Sequence, residues 1–205
     1  MLILSVDASL PLFSIALTRG NDTIAAYAAE GKGSRNEKLL AAVDWILAEV
    51  SVGRSELDLL VVTRGPGSFT GVRVGLATIE GLAFAIDRPV CALSTHEAAI
   101  GGRTDEVLVW SDAGRGEWYL AAFAGGEESI PPSLASQADL ETLKGRIRTH
   151  LELEELIATS NLALLGARRA LALHESGRME GRSDTTPIYV RLAEAEVKLR
   201  QKLDG

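Results

Sequence analysis

The chain has 205 residues, of which 46% are hydrophobic and 24% charged, and its formal net charge is −7. This composition is typical of a folded protein, and the acidic balance argues against a broad nucleic-acid-binding face, because such a face needs clustered Lys and Arg. The only cysteine, Cys91, excludes an internal disulfide and a cysteine-based zinc site, which fits a reducing cytoplasm.

The first elements of the chain are predicted to be three strands. Residues 2–6 are apolar except for Ser5, which is typical of a buried strand, and this strand ends at Asp7. Residues 12–18 and 23–29 predict two further strands, separated by a short polar stretch that contains a glycine. The chain is therefore expected to begin with an antiparallel meander.

A helix is predicted over residues 37–50. Helical spacing gives it a core face made of Leu39, Leu40, Val43, Ile46, Leu47 and Val50. Trp45 falls on the opposite side, between Ala41 and Ala48, so this helix has a second apolar patch. Burial under neighbouring side chains and contact with another protein are both open for Trp45.

The most informative stretch of the chain joins a glycine-rich turn to a long helix. A Gly-Pro-Gly turn at residues 65–67 ends a predicted strand at 57–63, and such punctuation permits backbone angles that other residues avoid. Ser68 or Thr70 is predicted to cap the helix, which runs over residues 70–86. Strand, turn, cap and helix are all specified locally.

The surfaces of helix 70–86 differ from one another. A polar stripe carries Arg73, Glu80 and Asp87, with Ala77 and Phe84 beside it. One flank is bulky and carries Val72, Leu76, Ile79, Leu82, Ala83 and Ile86. The other flank is small and carries Gly71, Val74, Gly75, Thr78, Gly81 and Ala85. The bulky flank predicts packing on a sheet, while the small flank would admit a second backbone closely, from this chain or from a partner subunit.

A membrane span is not expected in helix 70–86. Arg73 and Glu80 interrupt the apolar run, which is also shorter than the ~20 residues that a span requires.

The strand order of the first half is predicted to be βββαβαβ, which forms a mixed sheet. Residues 89–93 give the last strand, Ser94 caps a short helix that ends at Ala99, and Gly101-Gly102 marks the boundary between two lobes. The expected domains are residues 1–100, with dimerisation helices 37–50 and 70–86, and residues 101–205.

The second half repeats the opening pattern. A strand at 106–111 ends at Asp112, and another strand follows at 117–124, so the arrangement of strand, aspartate, turn and strand occurs twice. This repetition predicts an α/β fold of duplicated lobes, the second smaller and degenerate. The remaining segments are predicted to be a loop at 125–132, helices at 133–144 and 166–175, a short strand at 161–165, a polar stretch at 177–187 and a charged amphipathic segment at 188–203 that packs toward the first lobe.

Several catalytic chemistries are poorly supported by the sequence. His96, His150 and His174 are dispersed and lack metal-ligand spacing, so no metal site is expected. Ser68 lacks the outer glycines of a nucleophile elbow, and the turn at 65–71 lacks the GK[ST] ending of a P-loop. A peptidase is accordingly the least favoured reading.

The two aspartate turns are better candidates for nucleotide chemistry. Asp7, Ser9 and Asp112 are the residues that such a site would use, with a carboxylate and backbone amides holding phosphate and magnesium. The first turn, however, contains Leu10-Pro11 and no glycine, which makes a poor phosphate cradle. We interpret these residues as a vestigial nucleotide site; the alternative is an ATP-binding phosphotransferase or ATPase that uses Asp7 and Asp112.

Four motifs resemble one known family. They are VDAS at 6–9, RGPGSFTGVRVGLATIEGLAFAID at 64–87, DAGRGEWY at 112–119 and PIYVR at 187–191. With these the chain is similar to the bacterial TsaB (YeaZ) family, which has the actin, sugar-kinase and Hsp70-like (ASKHA) fold. The chain departs from many relatives at Arg35-Asn36, where they have His-Ser, and at Gly114, where they have arginine. No role that depends on those side chains is carried over.

The resemblance implies a non-catalytic, cytoplasmic subunit of the machinery that forms N6-threonylcarbamoyladenosine beside the tRNA anticodon. Its implied partners are a catalytic TsaD-like paralogue, a TsaE-like ATPase and a second copy of itself, with tRNA contacted only through the complex and no membrane. ATP or ADP and the metal are expected on the partner subunits. The predicted partner interface lies on the two N-lobe helices and comprises Leu39, Val43, Trp45, Arg73, Val74, Gly75, Thr78, Gly81, Leu82 and Ala85.

Overall fold

The first sheet of the protein is mixed and has five strands. The computed structural model describes residues 1–30 and 35–191. The strands are β1 (Leu2–Asp7), β2 (Leu12–Arg19), β3 (Asp22–Glu30), β4 (Leu59–Thr63) and β5 (Val90–Leu93). Their spatial order is β3-β2-β1-β4-β5, with β1, β2 and β3 antiparallel to one another and β4 and β5 parallel to β1. The predicted meander and the two later strands are confirmed.

Helices cover both faces of this sheet, which explains why β1 is buried throughout and apolar except at Ser5 and Asp7. On one face lie α1 (Arg35–Glu49) and α2 (Phe69–Ile86). Leu4 and Val6 of β1 join the core cluster under these helices, while Ile3 joins a second cluster on the other face. Because neighbouring side chains of a strand point to opposite faces, a strand covered on both sides has hydrophobic residues at consecutive positions and not only at every second one.

The second sheet has four strands. These are β6 (Val107–Gly114), β7 (Glu117–Ala124), β8 (Glu127–Ser136) and β9 (Thr149–Glu152), in the order β8-β7-β6-β9. Helix α4 (Gln137–Arg146) covers one face, where Leu140 packs with Trp110 and Leu120. The antiparallel hairpin of β6 and β7 repeats that of β1 and β2, as the sequence predicts.

Three helices lie between the two sheets. They are α3 (Thr95–Ile100), α5 (Leu153–Thr159) and α6 (Leu162–Glu175). The core cluster around them contains Ile3 and Val61 from the first sheet together with Val109 and Phe123 from the second. This core cluster is therefore shared by both lobes. The lobe boundary at Gly101-Gly102 stays a prediction.

Several elements of the second half differ from the sequence-based expectations. Residues 125–132 are not a loop, because most of them belong to β8, and the helix expected at 133–144 begins only at Gln137. The strand expected at 161–165 is wrong as well, since Asn161 caps α6 and accepts a hydrogen bond from the Leu164 amide. Of the amphipathic segment expected at 188–203, residues 192–203 lie outside the described residues.

Helix α2 combines membrane-like length and composition with a protein core position. Its 18 residues are long and apolar enough to cross a membrane, and so are those of the sharply bent pair of α5 and α6 taken together. The bulky flank of α2, including Leu76 and Ile79, is buried against the first sheet. Core helices of globular proteins commonly have such a composition.

Candidate functional site

The Asp7 carboxylate lies at the end of β1 and is completely buried. Its Oδ1 accepts hydrogen bonds from the Ser9 amide (3.1 Å), the Ser9 hydroxyl (2.6 Å) and the Thr63 hydroxyl (2.5 Å). The Thr95 hydroxyl in turn donates to Ser9 Oγ at 2.9 Å. Three hydrogen bonds from the chain itself therefore converge on Oδ1 of this carboxylate.

The Gly-Pro-Gly turn packs directly on this Asp7 turn. The Ser68 amide donates to the Ser9 carbonyl at 2.7 Å, and the Thr95 amide donates to the Gly65 carbonyl at 2.8 Å. A Cβ atom on Gly67 would overlap the Ser9 carbonyl oxygen. Gly67 is thus a glycine because two backbones meet there. The predicted Ser68 cap is confirmed, since its hydroxyl accepts a hydrogen bond from the Gly71 amide.

Asp112 occupies a different environment. It is exposed near the end of β6, where Oδ1 accepts a hydrogen bond from the Gly114 amide at 2.6 Å and its own amide donates to Glu154 Oε1 at 3.1 Å. One of the two predicted aspartates is therefore buried and the other shapes a surface turn. A vestigial nucleotide site at Asp7, Ser9 and Asp112 stays a prediction.

The PIYVR motif forms a strap, residues 187–191, that joins the two lobes at the start of α2. The Ile188 amide donates to the Arg64 carbonyl at 2.7 Å, and Arg73 Nε donates to the Tyr189 hydroxyl at 2.8 Å. At its other end, Arg191 donates to the Ala113 carbonyl at 2.9 Å. The motif thus contacts both a helix of the first lobe and the β6–β7 turn of the second.

The surface formed by α1 and α2 holds a groove of about 910 Å³. It is lined by Leu40, Asp44, Arg54, Ser55, Val74, Ala77, Thr78, Gly81, Leu82, Ala85 and Ile86. Phe84 stands beside this groove with 92% of its surface exposed, and Leu40 is 49% exposed. We call this surface the α1–α2 face.

The structure divides the ten predicted interface residues into two groups. Leu39, Val43, Val74, Gly75 and Leu82 are buried. Trp45, Arg73, Gly81 and Ala85 are exposed and Thr78 is half-buried. The burial has a tertiary cause, because the first turns of the small flank pack on the chain itself: a Cβ on Gly75 would lie 3.4 Å from that of Ala8. Only the C-terminal half of the small flank is open to a partner.

Two exposed residues of the α1–α2 face were not predicted. Leu40 was placed in the core by helical spacing, which is wrong because it projects over the groove between the helices. Phe84 was noted only beside the polar stripe. A phenylalanine next to Glu80 on a solvent-facing stripe is the signal that could have identified it, because large apolar side chains there indicate contact surfaces.

Trp45 lies on the other side of α1, at a second recess of about 580 Å³ between this helix and β3. Its ring contacts that of Tyr27 edge-on, with centroids 5.5 Å apart, and Tyr27 in turn lies 6.1 Å from Phe13. The indole remains 52% exposed. Trp45 therefore points away from the core, as predicted from its position on the helix.

Two buried groups near the lobe junction have strongly shifted pKa values. Burial, with a further contribution from Glu97, raises the pKa of the Cys91 thiol to about 12, so it stays protonated. Burial lowers the pKa of His96 to about 4, although the hydrogen bond of Nε2 with the Tyr119 carbonyl opposes this effect. Among the described residues, no group of three or more His, Cys, Asp or Glu side chains is arranged to hold a metal ion.

The neutral state of His96 makes stability depend on pH. The unfolded chain takes up a proton near the ordinary pKa of 6.5, whereas the folded chain resists protonation until about pH 4. The free energy of unfolding is therefore expected to fall as pH decreases from about 6.5 toward 4, by an amount on the order of 3 kcal/mol from this residue. Urea unfolding at several pH values measures it. His96→Gln, which cannot titrate, should flatten the slope in this window, and an unchanged slope would contradict the prediction.

Comparison with known proteins gives three main results. A family model described as "TsaD: tRNA N6-adenosine threonylcarbamoyltransferase" matches residues 32–168. The tRNA threonylcarbamoyladenosine biosynthesis protein TsaB of Bacillus subtilis is 33% identical over 223 aligned positions, which cover 97% of each chain. The protein of the same name from Haemophilus influenzae is 40% identical over 125 positions, covering 58% of this chain and 52% of its own.

Solved structures agree on the fold. YeaZ from Pseudomonas aeruginosa superposes with a TM-score of 0.69 at 23% identity, covering 92% of this chain and 99% of that one. A polyphosphate/ATP-glucomannokinase from Arthrobacter superposes with a TM-score of 0.51 at 14% identity, covering 84% and 99%. The predicted α/β fold of the actin, sugar-kinase and Hsp70-like class is confirmed.

Proposed function

The chain belongs to the TsaB (YeaZ) family of tRNA threonylcarbamoyladenosine biosynthesis proteins, and from this premise we propose that it is a non-catalytic subunit that pairs with a TsaD-like paralogue through the α1–α2 face. In this proposal the paralogue and a TsaE-like ATPase supply the metal and the ATP or ADP. The cytoplasmic complex, rather than this subunit alone, contacts the tRNA. The acidic net charge of −7 agrees with an indirect contact.

The observation that carries the proposal is the location of the exposed apolar side chains. Among the described residues, the large exposed hydrophobic side chains are Leu40, Trp45, Phe69, Phe84 and Tyr189. Four of them belong to α1 or α2, and Tyr189 stacks on Phe69 with ring centroids 5.0 Å apart. Trp45 lies on the opposite side of α1, whereas Leu40 lines the groove and Phe84 stands beside it, so the exposed apolar side chains of the α1–α2 face are Leu40 and Phe84. Large apolar side chains exposed next to a groove are typical of a protein interface.

The shape of the α1–α2 face favours a helical partner. Gly81 and Ala85 leave the C-terminal half of α2 without bulk, and Phe84 projects next to this hollow. A partner helix could approach the small residues closely and cover the phenylalanine, which would bury apolar area on both sides. Asp7, by contrast, accepts hydrogen bonds from Ser9 and Thr63 of the same chain. These bonds favour a structural role for this aspartate over a catalytic one.

The test of the proposal is Gly81→Arg. A Cβ on Gly81 meets no atom within 4 Å, so the arginine fits the free subunit, and replacing a helical glycine should preserve or slightly raise its stability. In the complex the long charged side chain would occupy the groove of the α1–α2 face, where the partner helix is proposed to lie. We expect this variant to lose association with the TsaD-like paralogue in sedimentation velocity, and to lose support of tRNA modification in a reconstituted reaction.

Gly145→Arg is the matched control, because Gly145 is also a helical glycine with no atom within 4 Å of its Cβ, but it lies on α4 of the second lobe. This control should bind and function normally. An intact complex with Gly81→Arg would refute the proposed face. Gly75 is unsuitable for the test, since it is buried against Ala8 and a charged residue there would perturb the fold.

A further inference from the structure

The strap contacts the exposed side of α2 through an aromatic and cationic cluster. The Arg73 guanidinium lies 3.8 Å from the centroid of the Phe69 ring and 5.7 Å from that of Tyr189, whose hydroxyl it also hydrogen-bonds. All three side chains are exposed. Arg73 belongs to the same solvent-facing stripe of α2 as Glu80 and Phe84, so the cluster continues the α1–α2 face toward the second lobe.

The same strap holds the β6–β7 turn. Two residues after Tyr189, the Arg191 guanidinium donates to the carbonyls of Ala113 (2.9 Å) and Gly114 (3.5 Å), and it pairs with Glu117. These acceptors lie in and beside the turn that contains Asp112 and Arg115. Arg73 and Glu117 are thus connected through three successive strap residues, although they belong to different lobes.

The start of the strap is anchored through its backbone. The Ile188 amide is bonded to the Arg64 carbonyl, and the Ile188 carbonyl lies so close to Gly65 that a Cβ there would be 2.9 Å from it. Pro187 fixes its own φ and restricts the residue before it. A segment this short, anchored at residues 188, 189 and 191, has few partly attached arrangements and is expected to open as a unit.

We propose that the strap couples the partner-facing side of α2 to the β6–β7 turn through an equilibrium between a docked and a detached state. A partner that covers Phe69, Arg73 and Tyr189 stabilises the docked state and thereby orders the turn of the second lobe. By thermodynamic reciprocity, whatever orders the turn strengthens binding at the cluster. This inference goes beyond the interface itself and holds for the free subunit as well.

Hydrogen–deuterium exchange of the full chain tests the coupling without any partner. Arg73→Ala removes the anchor on α2, an exposed side chain whose loss leaves the core intact, and Tyr189→Phe removes only the hydroxyl group. In each variant we expect amide exchange in residues 112–117 to accelerate, by roughly three- to tenfold, as follows from losing one hydrogen bond that holds the docked state. Glu80→Ala, on the same stripe of α2, is the control and should leave that turn unchanged.

The reciprocal variant is Glu117→Gln, which weakens the other anchor. It should accelerate exchange in residues 188–190 and expose Tyr189. The coupling would be overturned if residues 112–117 exchanged at the wild-type rate in Arg73→Ala and Tyr189→Phe, and residues 188–190 did so in Glu117→Gln. This experiment uses only the isolated subunit, so its failure would leave the proposed association with the paralogue standing, and failure of that association would leave the coupling standing.

Discussion

Replacing Glu97 with alanine is expected to lower the free energy of unfolding by about 3–5 kcal/mol. Glu97 is buried on α3, where its Oε1 accepts hydrogen bonds from Arg169 Nη2 (2.9 Å) and Nε (3.2 Å) and its Oε2 accepts one from Arg182 (2.6 Å). Without the carboxylate, the buried Arg169 guanidinium keeps only the Gly126 carbonyl among its described acceptors. Removing one partner of a buried ion pair costs far more than the pair contributes, because the remaining charge cannot return to water.

The control for this prediction is an ion pair on the surface. Asp44 and Arg54 are joined at 2.5 Å, but their side chains remain about half exposed, so Asp44→Ala should change stability by no more than about 0.5 kcal/mol. Urea unfolding followed by circular dichroism measures both variants. A loss below about 1 kcal/mol for Glu97→Ala would show that water reaches Arg169 and that the network is not a buried one.

The Glu97 network also bears on how the lobes are held. It joins α3 and α6 to the turn between β7 and β8 through Gly126, and to Arg182, whose carbonyl accepts a hydrogen bond from the Ala92 amide of β5. The network thus connects the β7–β8 turn of the second sheet to β5 of the first through charged groups that no sequence motif identified.

The first lobe could be predicted from sequence because its signals are local. The turn at 65–67 and Ser68 specify where β4 ends and α2 begins, and the structure confirms both. Similarly, a run that is apolar except at Ser5 identifies β1 as a strand covered on both faces. In each case the residues that determine the element are neighbours in sequence, so the element can be predicted without knowing its distant contacts.

The faces of the helices were harder to predict, because the sheet and not the helix decides which side is covered. Leu40 has the spacing of a core residue, yet it lies beyond the edge of what the sheet covers and projects into the groove. Gly75 was predicted to be an interface residue because it is small, yet it packs against Ala8 of the same chain. Helical periodicity gives the angle of a side chain but not the width of the surface that covers it.

The strand β8 was missed because of its prolines. Pro131 and Pro132 argue against a central strand, but β8 is the edge of its sheet, where the missing amide protons can face away from the ladder. The signal that could have found it is Gly125-Gly126, both of which have positive φ and form the turn from β7. A Gly-Gly pair directly after a strand is typical of a tight hairpin.

The candidate site could be predicted only in outline. The choice of α1 and α2 follows from their surplus apolar surface, whereas the link from Arg73 to Tyr189 spans 116 positions in sequence and has no local signature. The alternative of a phosphotransferase depends on Asp7 being available to a ligand. Its carboxylate is instead completely buried and bonded to Ser9 and Thr63, which favours a structural role for this aspartate.

Gly67→Ala is expected to destabilise the protein by about 3 kcal/mol or more, because the added Cβ would overlap the Ser9 carbonyl oxygen and one of the two backbones must move. The backbone of Gly67 also has a φ of 156°, which residues with side chains rarely adopt. Since the Ser68 amide bonds to the same Ser9 carbonyl, the displacement would shift the start of α2. We therefore expect weaker association through the α1–α2 face in addition to a lower melting temperature.

The comparison that isolates this cause is Gly102→Ala. A Cβ on Gly102 meets no atom within 4 Å, so this variant removes the same flexibility from the unfolded chain without a collision and should be nearly neutral. Thermal unfolding and sedimentation of both variants with the paralogue separate the two effects. If Gly67→Ala kept wild-type stability, the backbone contact between the two turns would be absent in solution.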